Sequence, residues 1–189
     1  MGKTIPDHRL FNKNLAGGGI LDVGLYPISF SRLIAGVATG EKFLEPKFID
    51  AEARIGETGV DEVAHANLEF KNGIKAKVST AVMESMKNNA VITGSEGTIE
   101  LPDPWMPGRE GGPYHAKIII NKNGNEDIID VKGPEHLFFF EGELASQCIA
   151  KEKTQPPHPA MTWEDTLGNL QALDRWREKV NYKLPQDEI

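Results

Sequence analysis

Apolar positions follow two different periods along this chain, and the switches between them mark its elements. From Leu21 onward, apolar residues recur at three- and four-residue spacings (Leu25, Ile28, Leu33, Ile34, Val37), the pattern of a helix with one buried stripe. The spacing predicts a helix through about Ala35, with Gly36 as its stop. Pro27 removes a backbone donor inside that pattern, so a kink or restart is expected just after Tyr26. From Phe48 the period falls to two. Residues 48–55 alternate loosely and residues 63–70 alternate well, with Ala64, Ala66, Leu68 and Phe70 on one face and Val63, His65, Asn67 and Glu69 on the other. Asn72-Gly73 is a two-residue type I′ turn signal leading into a strand over 74–82. Two further pairs follow: 90–93 with 98–101 around Gly94-Ser95-Glu96-Gly97, and 115–121 with 127–132 around Asn123-Gly124.

The rest of the chain returns to a helical period. Leu137, Phe138, Leu144, Ala145, Cys148 and Ile149 form a stripe, and Phe139 and Phe140 widen it, so a helix from 135 or 136 to about 151 is expected to be covered on more than one side. A polar, proline-rich break at 151–159 precedes Thr162-x-x-Asp165, a capping box. Beyond it, Trp163, Leu167, Leu170, Leu173 and Trp176 are predicted to line one face of a final helix to about Val180. Together these elements predict an α+β fold: a largely antiparallel sheet of about six strands with helices packed on one face. The segment from Pro102 to Tyr114 carries three further residues that bar regular structure, Pro104, Pro107 and Pro113. It reads as a long loop, either a lid or subunit contact bearing Trp105, Met106 and Tyr114, or a plain surface connection.

One stretch speaks about chemistry. Gly17-Gly18-Gly19 runs into the first helical segment, where Asp22 and Tyr26 are four residues apart and so leave from one face. A phosphate-cradling loop needs G-x-G-x-x-G or G-x-x-x-x-G-K-[ST], and the glycines here fit neither. The other reading is a tight turn that lets a neighbouring element approach closely. Asp22 is equally a first-turn acid against the helix dipole, and Tyr26 equally a core tyrosine with one partner.

Composition narrows the classes. At 189 residues, 39% hydrophobic and 26% charged, the sequence reads as an ordinary globular domain. A formal charge of −7 without a basic cluster argues against a nucleic-acid partner. No apolar run approaches the roughly 20 residues of a membrane span, and no signal-peptide core opens the chain. A single cysteine, Cys148, points to a reducing compartment, so a cytoplasmic location is expected, and its apolar helical setting marks it as a small core residue. The five histidines lack metal-ligand spacing, and Ser79 and Ser95 lack a nucleophile elbow, so no metal is expected.

Gly17-Gly18-Gly19-x-x-Asp22-x-Gly24-x-Tyr26-Pro27, preceded by Arg9-Leu10-Phe11-Asn12-x-x-Leu15-Ala16, resembles the signature helix of the Gfo/Idh/MocA oxidoreductases. It is most similar to the branch of the dimeric dihydrodiol dehydrogenases and glucose-fructose oxidoreductase, in which tyrosine replaces the histidine of other branches. The resemblance spans nearly the whole chain, but only residues 9–27 carry motif-specific matches. It implies a substrate-binding and oligomerisation domain, over 1–189, of an NAD- or NADP-dependent enzyme acting on a CH–OH group of a sugar or cyclic diol. Tyr26 would be the general acid or base, Asp22 its partner in orienting the substrate, and Arg9, Gly18 and Gly19 would line the substrate pocket. The family's preceding dinucleotide-binding domain, with its glycine fingerprint and Glu-Lys-Pro motif, is not read here. Glu45-Pro46-Lys47 has the wrong order. The chain is therefore expected to hold half a site, with no cofactor bound and no activity alone. The family also implies a homodimer through the open sheet face, here including His65, Asn67, Glu69, Lys75, Lys77 and Ser79. The alternative is a non-catalytic binding or dimerisation module with the same fold.

Overall fold

The computed structural model describes residues 6–108 and 112–188. Arg109, Glu110 and Gly111, in the expected proline-rich loop, lie outside the described residues, and the rest of that loop beyond Pro102 is turn and bend until β6 begins at His115. The helices are α1 (Gly19–Asp22), α2 (Leu25–Thr39), α3 (Leu137–Ala150) and α4 (Trp163–Lys179). The strands are β1 (Lys47–Ile55), β2 (Asp61–Glu69), β3 (Lys75–Ala81), β4 (Asn89–Gly94), β5 (Gly97–Pro102), β6 (His115–Lys122) and β7 (Asn125–Lys132). All strand pairs are antiparallel, and the fold is α+β. The seven strands form two sheets, β1-β2-β3 and β4-β5-β6-β7. These belong to two compact units, one made of the described residues up to Met86 and from Pro157 on, the other of 87–156.

In the first unit, β2 supplies the centre of the core. Its even positions Ala64, Ala66 and Leu68 are buried, and their partners Thr80, Val78 and Ala76 on β3 share that face. Ile20, Ile28, Phe48, Leu173 and Trp176 pack against them, so α1, α2 and α4 cover one side of the sheet. Arg32, on α2, is only 1% exposed. Its Nη1 donates to Asn169 Oδ1 at 2.7 Å and to the Asp165 carbonyl at 3.1 Å, its Nη2 donates to Glu45 Oε1 at 2.6 Å, and the Phe43 ring lies 4.7 Å from the guanidinium. The opposite sheet face is polar, with His65 Nδ1 2.7 Å from Ser79 Oγ and Asn67 Nδ2 donating to Asp50 Oδ1 at 2.7 Å.

Several local expectations are revised. The first helix breaks at Val23-Gly24, not after Tyr26, and the segments on either side are bent by 41°. Pro27 is the third residue of α2, where its missing N–H has no intrahelical partner in any case. That helix passes Gly36 and ends at Gly40, whose φ of 77° is the left-handed cap. Gly36 is a contact glycine instead: a Cβ there would lie 2.5 Å from the Phe43 nitrogen. Asn72-Gly73 is not a two-residue turn. Phe70 N–H donates to the Ile74 carbonyl across a three-residue loop, Lys71–Gly73, closed by Gly73 at φ 78°. Asn123-Gly124, by contrast, is the expected type I′ turn, with φ of 53° and 80° between paired Lys122 and Asn125.

The last two helices depart from their predicted stripes. The capping box at Thr162 and Asp165 is present, yet Trp163 is 63% and Leu167 58% exposed. The buried face of α4 is Gly168, Asn169, Ala172, Leu173, Trp176 and Arg177. Its polar members are held by hydrogen bonds: Asn169 by Arg32, and Arg177 by Asp174 and Asp187 at 2.7 Å each. In α3 only Cys148 is buried, and Phe138 and Phe139 stand about half exposed, so the described residues do not cover the helix on several sides. Four successive large residues, 137–140, cannot share one helical face; Phe140 turns inward, its ring 5.5 Å from that of Tyr114.

Candidate functional site

The site is built by two short 3-10 turns, Arg9–Phe11 and Lys13–Leu15, that fold the chain back along the glycines. Asn12 starts the second turn, its side chain accepting from Asn14 N–H at 3.0 Å. Gly17 N–H then donates to the Asn12 carbonyl at 3.1 Å and Gly18 N–H to the Leu10 carbonyl at 2.9 Å. The approach demands glycine. A Cβ on Gly17 would sit 2.7 Å from the carbonyl oxygens of both Arg9 and Leu10, and Gly18 has φ 101°. The fold-back brings the Arg9 guanidinium onto the Asp22 carboxylate as an ion pair. Asp22 closes α1 with its side chain 20% exposed, and Tyr26, second residue of α2 and 42% exposed, follows across the break.

Arg9 and Asp22 are thus brought into contact, with Tyr26 reachable from solvent one turn on. The same-helix spacing expected for Asp22 and Tyr26 is replaced by a hinge of two residues, Val23 and Gly24, between short α1 and long α2. Gly18 and Gly19 face inward: a Cβ on Gly18 would collide with the Asp61 carboxylate, and one on Gly19 would lie 3.2 Å from Thr80 Oγ1.

The inward side of the turn holds residues that sequence patterning missed. Asp61, at the start of β2, is fully buried and its Oδ2 accepts from Ile20 N–H at 2.8 Å. Thr80 Oγ1 donates to the Gly19 carbonyl at 3.0 Å, and the Tyr182 hydroxyl donates to the Gly17 carbonyl at 2.8 Å. Burial pushes the Asp61 carboxyl up to about 6, against the pull of the Ile20 amide. Burial, with the charge of Asp61 adding to it, pushes the Tyr182 phenol up to about 12. One signal was available for Thr80, a hydroxyl on the inward register it shares with Ala76 and Val78. With Ile20 N–H engaged by an internal carboxylate, the turn is a packed structural joint and not a phosphate cradle. Among the described residues no group of three or more His, Cys, Asp or Glu side chains is placed to hold a metal ion, and no single helix is long and apolar enough to cross a membrane.

Comparison with known proteins places this geometry in a family. The sequence profile of the GFO/IDH/MocA C-terminal domain matches residues 2–100. Among curated proteins, the chain is similar to the trans-1,2-dihydrobenzene-1,2-diol dehydrogenases of zebrafish (Danio rerio; 38% identical, over 95% of this chain and 51% of the relative), Xenopus laevis (31%; 96% and 52%) and mouse (Mus musculus; 25%; 93% and 50%). It spans about half the length of these relatives. Among solved structures, the fold matches a 3-ketoreductase from Actinomadura kijaniata in complex with NADP and TDP-benzene, with TM-score 0.75 and 21% identity over 95% of this chain and 51% of that one. It also matches UDP-N-acetylglucosamine 3-dehydrogenase from Acidithiobacillus ferrooxidans, with TM-score 0.61 and 16% identity over 85% and 48%. The chain therefore belongs to the GFO/IDH/MocA family of oxidoreductases and carries its C-terminal domain.

Proposed function

We propose that Arg9, Asp22 and Tyr26 form the substrate side of the active site of an NAD(P)-dependent oxidoreductase that acts on a CH–OH group of a cyclic diol or sugar. The observation that carries this reading is the Arg9–Asp22 ion pair at the glycine turn, with Tyr26, 42% exposed, four residues on as the second residue of α2. The relatives' names, diol dehydrogenases and a sugar dehydrogenase, support the substrate class, and the ketoreductase complexed with NADP supports the cofactor.

In this reading the Tyr26 hydroxyl accepts the carbinol proton in oxidation and returns it in reduction. Asp22, fixed by Arg9, accepts hydrogen bonds from substrate hydroxyls and sets which one faces Tyr26. Gly18 and Gly19 then serve the pocket through their backbone conformation, since their Cα atoms face Asp61 and Thr80. A bound nicotinamide supplies the hydride acceptor. The amide at the glycine turn does not fit that cofactor's phosphates, being taken by Asp61, so its binding is assigned to protein outside these 189 residues. The chain alone is accordingly proposed to bind neither NAD nor NADP and to turn over no diol, and the working protein to be cytoplasmic.

The test is Tyr26→Phe in the full-length enzyme. Removing one positioned acid–base group should lower kcat by about 10²–10⁴-fold with the melting temperature retained; an unchanged kcat would exclude Tyr26 from the chemistry. A second role, homodimerisation through open sheet surface, is favoured by a separate observation. No described residue of β4, β5, β6 or β7 is buried, and on the polar face of β2 and β3 Asn67, Lys75, Lys77 and Ser79 are exposed.

A further inference from the structure

The glycine turn does not hold itself. Its backbone is fixed by side chains from three other segments: Asp61 of β2 at the Ile20 amide, Thr80 of β3 at the Gly19 carbonyl, and Tyr182, beyond α4, at the Gly17 carbonyl. Thr80 and Tyr182 are neutral donors of ordinary kind. Asp61 is different. It is fully buried, and its second oxygen, Oδ1, has no hydrogen-bond partner among the described residues and lies against Gly18. The nearby backbone amides of Ile20, Asp61 and Gly19 and the charge of Arg177 favour the ionised form but do not offset its burial, so a carboxylate here is a costly choice for a purely structural tie.

We propose that Asp61 is a positioning residue for the candidate site: its carboxylate, acting through the Ile20 amide and the backbone of Gly18 and Gly19, sets where Asp22 stands against Arg9 and where the first turn of α2, with Tyr26, begins, and its protonation alters that placement. The inference rests on the reading of Arg9, Asp22 and Tyr26 as the substrate side. The path is short, since Ile20 is two residues before Asp22 and α1 is a single turn whose other end is the hinge at Val23-Gly24. The elements packed on Asp61 bring few charges to it. α1 presents only backbone amides and β3 the Thr80 hydroxyl. From α4 Arg177 favours the ionised form, and beyond it come the Tyr182 hydroxyl and, through Arg177, Asp187. No cation pairs directly with Asp61 among the described residues. Burial therefore prevails and the carboxyl is raised to about 6, within reach of mild acidification. Protonation removes the charge that strengthens the bond from Ile20 N–H, which loosens the tie nearest Asp22.

The experiment is a carboxyl and tyrosine-ring NMR titration of the 189-residue chain from about pH 8 to about pH 4.5, spanning the expected Asp61 midpoint. The Asp22 carboxyl and Tyr26 ring signals should each show an inflection that coincides with the Asp61 midpoint near 6. Over the same step the protection of the Ile20 amide, corrected for the pH dependence of intrinsic exchange, should fall about tenfold. In Asp61→Asn those coincident inflections should vanish, with the rest of the spectrum retained. If Asp22 and Tyr26 pass through the Asp61 midpoint unchanged in the wild-type chain, the proposal is overturned. That arm needs no variant, so it remains decisive should Asp61→Asn fail to fold. The two ideas fail separately. Undiminished turnover by the full-length Tyr26→Phe enzyme removes the catalytic reading and leaves the coupling standing, whereas a silent titration removes the coupling alone.

Discussion

A guanidinium with 1% exposure stays in a core only when its donors have somewhere to go. Both terminal nitrogens of Arg32 are engaged, by Asn169, the Asp165 carbonyl and Glu45, and the Phe43 ring lies against the guanidinium, while Nε has no partner among the described residues. Arg32 thus ties α2 to α4 at a point hydrophobic patterning treats as solvent. Arg32→Ala should cost about 3 kcal/mol, because the buried Asn169 amide oxygen loses its donor and a cavity opens; a urea midpoint displaced by the equivalent of less than about 1 kcal/mol would show the network to be ornamental. Asp61 gives a second prediction at this scale. Its folded-state value, about 6, lies above its ordinary 3.8. Between those values the folded chain binds a proton that the unfolded chain does not, so stability rises as pH falls through the window and is least favourable above it. Asp187, Asp130 and Glu100, held below their ordinary range by Arg177, His115 and Lys87, act in the opposite sense and only at lower pH. The melting temperature should therefore be higher at pH 5 than at pH 7.5, and Asp61→Asn should flatten that difference; a melting temperature that falls from pH 7.5 to pH 5 would contradict the assignment. Arg9, Asp22 and Tyr26 were legible because they sit within 18 residues of one another beside the glycines. Asp61 and Tyr182 were not, being 41 and 165 residues in sequence from the turn atoms they bind.

At the scale of elements, sequence located nearly every strand and helix but not the way each is used. The alternation in residues 63–70 named the inward face of β2 correctly, because a two-residue period leaves only two choices. The stripe of α4 was misread for the converse reason. Leu173 and Trp176 of the predicted stripe are buried, but Gly168, Asn169 and Arg177 on the same face carry no hydrophobic signal, and the exposed Trp163, Leu167 and Leu170 drew the first half of the reading away from it. Gly36 shows the same confusion in a glycine. In sequence it resembles a helix stop, yet in the structure α2 continues past it because the chain at Lys42 and Phe43 returns directly over that position. The contact has a measurable consequence. A Cβ at Gly36 would lie 2.5 Å from the Phe43 nitrogen and 2.7 Å from the Lys42 carbonyl carbon, both backbone atoms that cannot rotate away. Gly36→Ala, normally worth up to about 1 kcal/mol of added helix stability, should instead destabilise the chain by about 1–3 kcal/mol. A rise in melting temperature for that variant would place Gly36 among ordinary helix interior positions.

For the whole molecule, hairpins were legible and sheets were not. A hairpin is specified by its own turn, as Asn123-Gly124 illustrates, whereas the grouping of hairpins into one sheet or two depends on partners distant in sequence. The result is a four-stranded sheet with no buried position among its described residues, Val91 being 55% exposed on β4 and Ile128 and Ile129 nearly half exposed on β7. Strands about 4.8 Å apart with a rise near 3.3 Å per residue give each face of such a sheet about 400 Å². That is the size of the largest apolar patch on many monomers and about half of what each partner contributes to a stable interface. An association resting on one such face should therefore be weak and concentration-dependent. Sedimentation equilibrium is expected to give a mass that climbs from one chain toward two as concentration rises into the range of about 100 µM. Ile128 and Ile129 point to opposite faces of β7, so Ile128→Glu and Ile129→Glu should differ, one abolishing the climb and the other sparing it. A wild-type mass fixed at one chain throughout would leave the open strands solvated and remove dimerisation from the functions assigned to this domain.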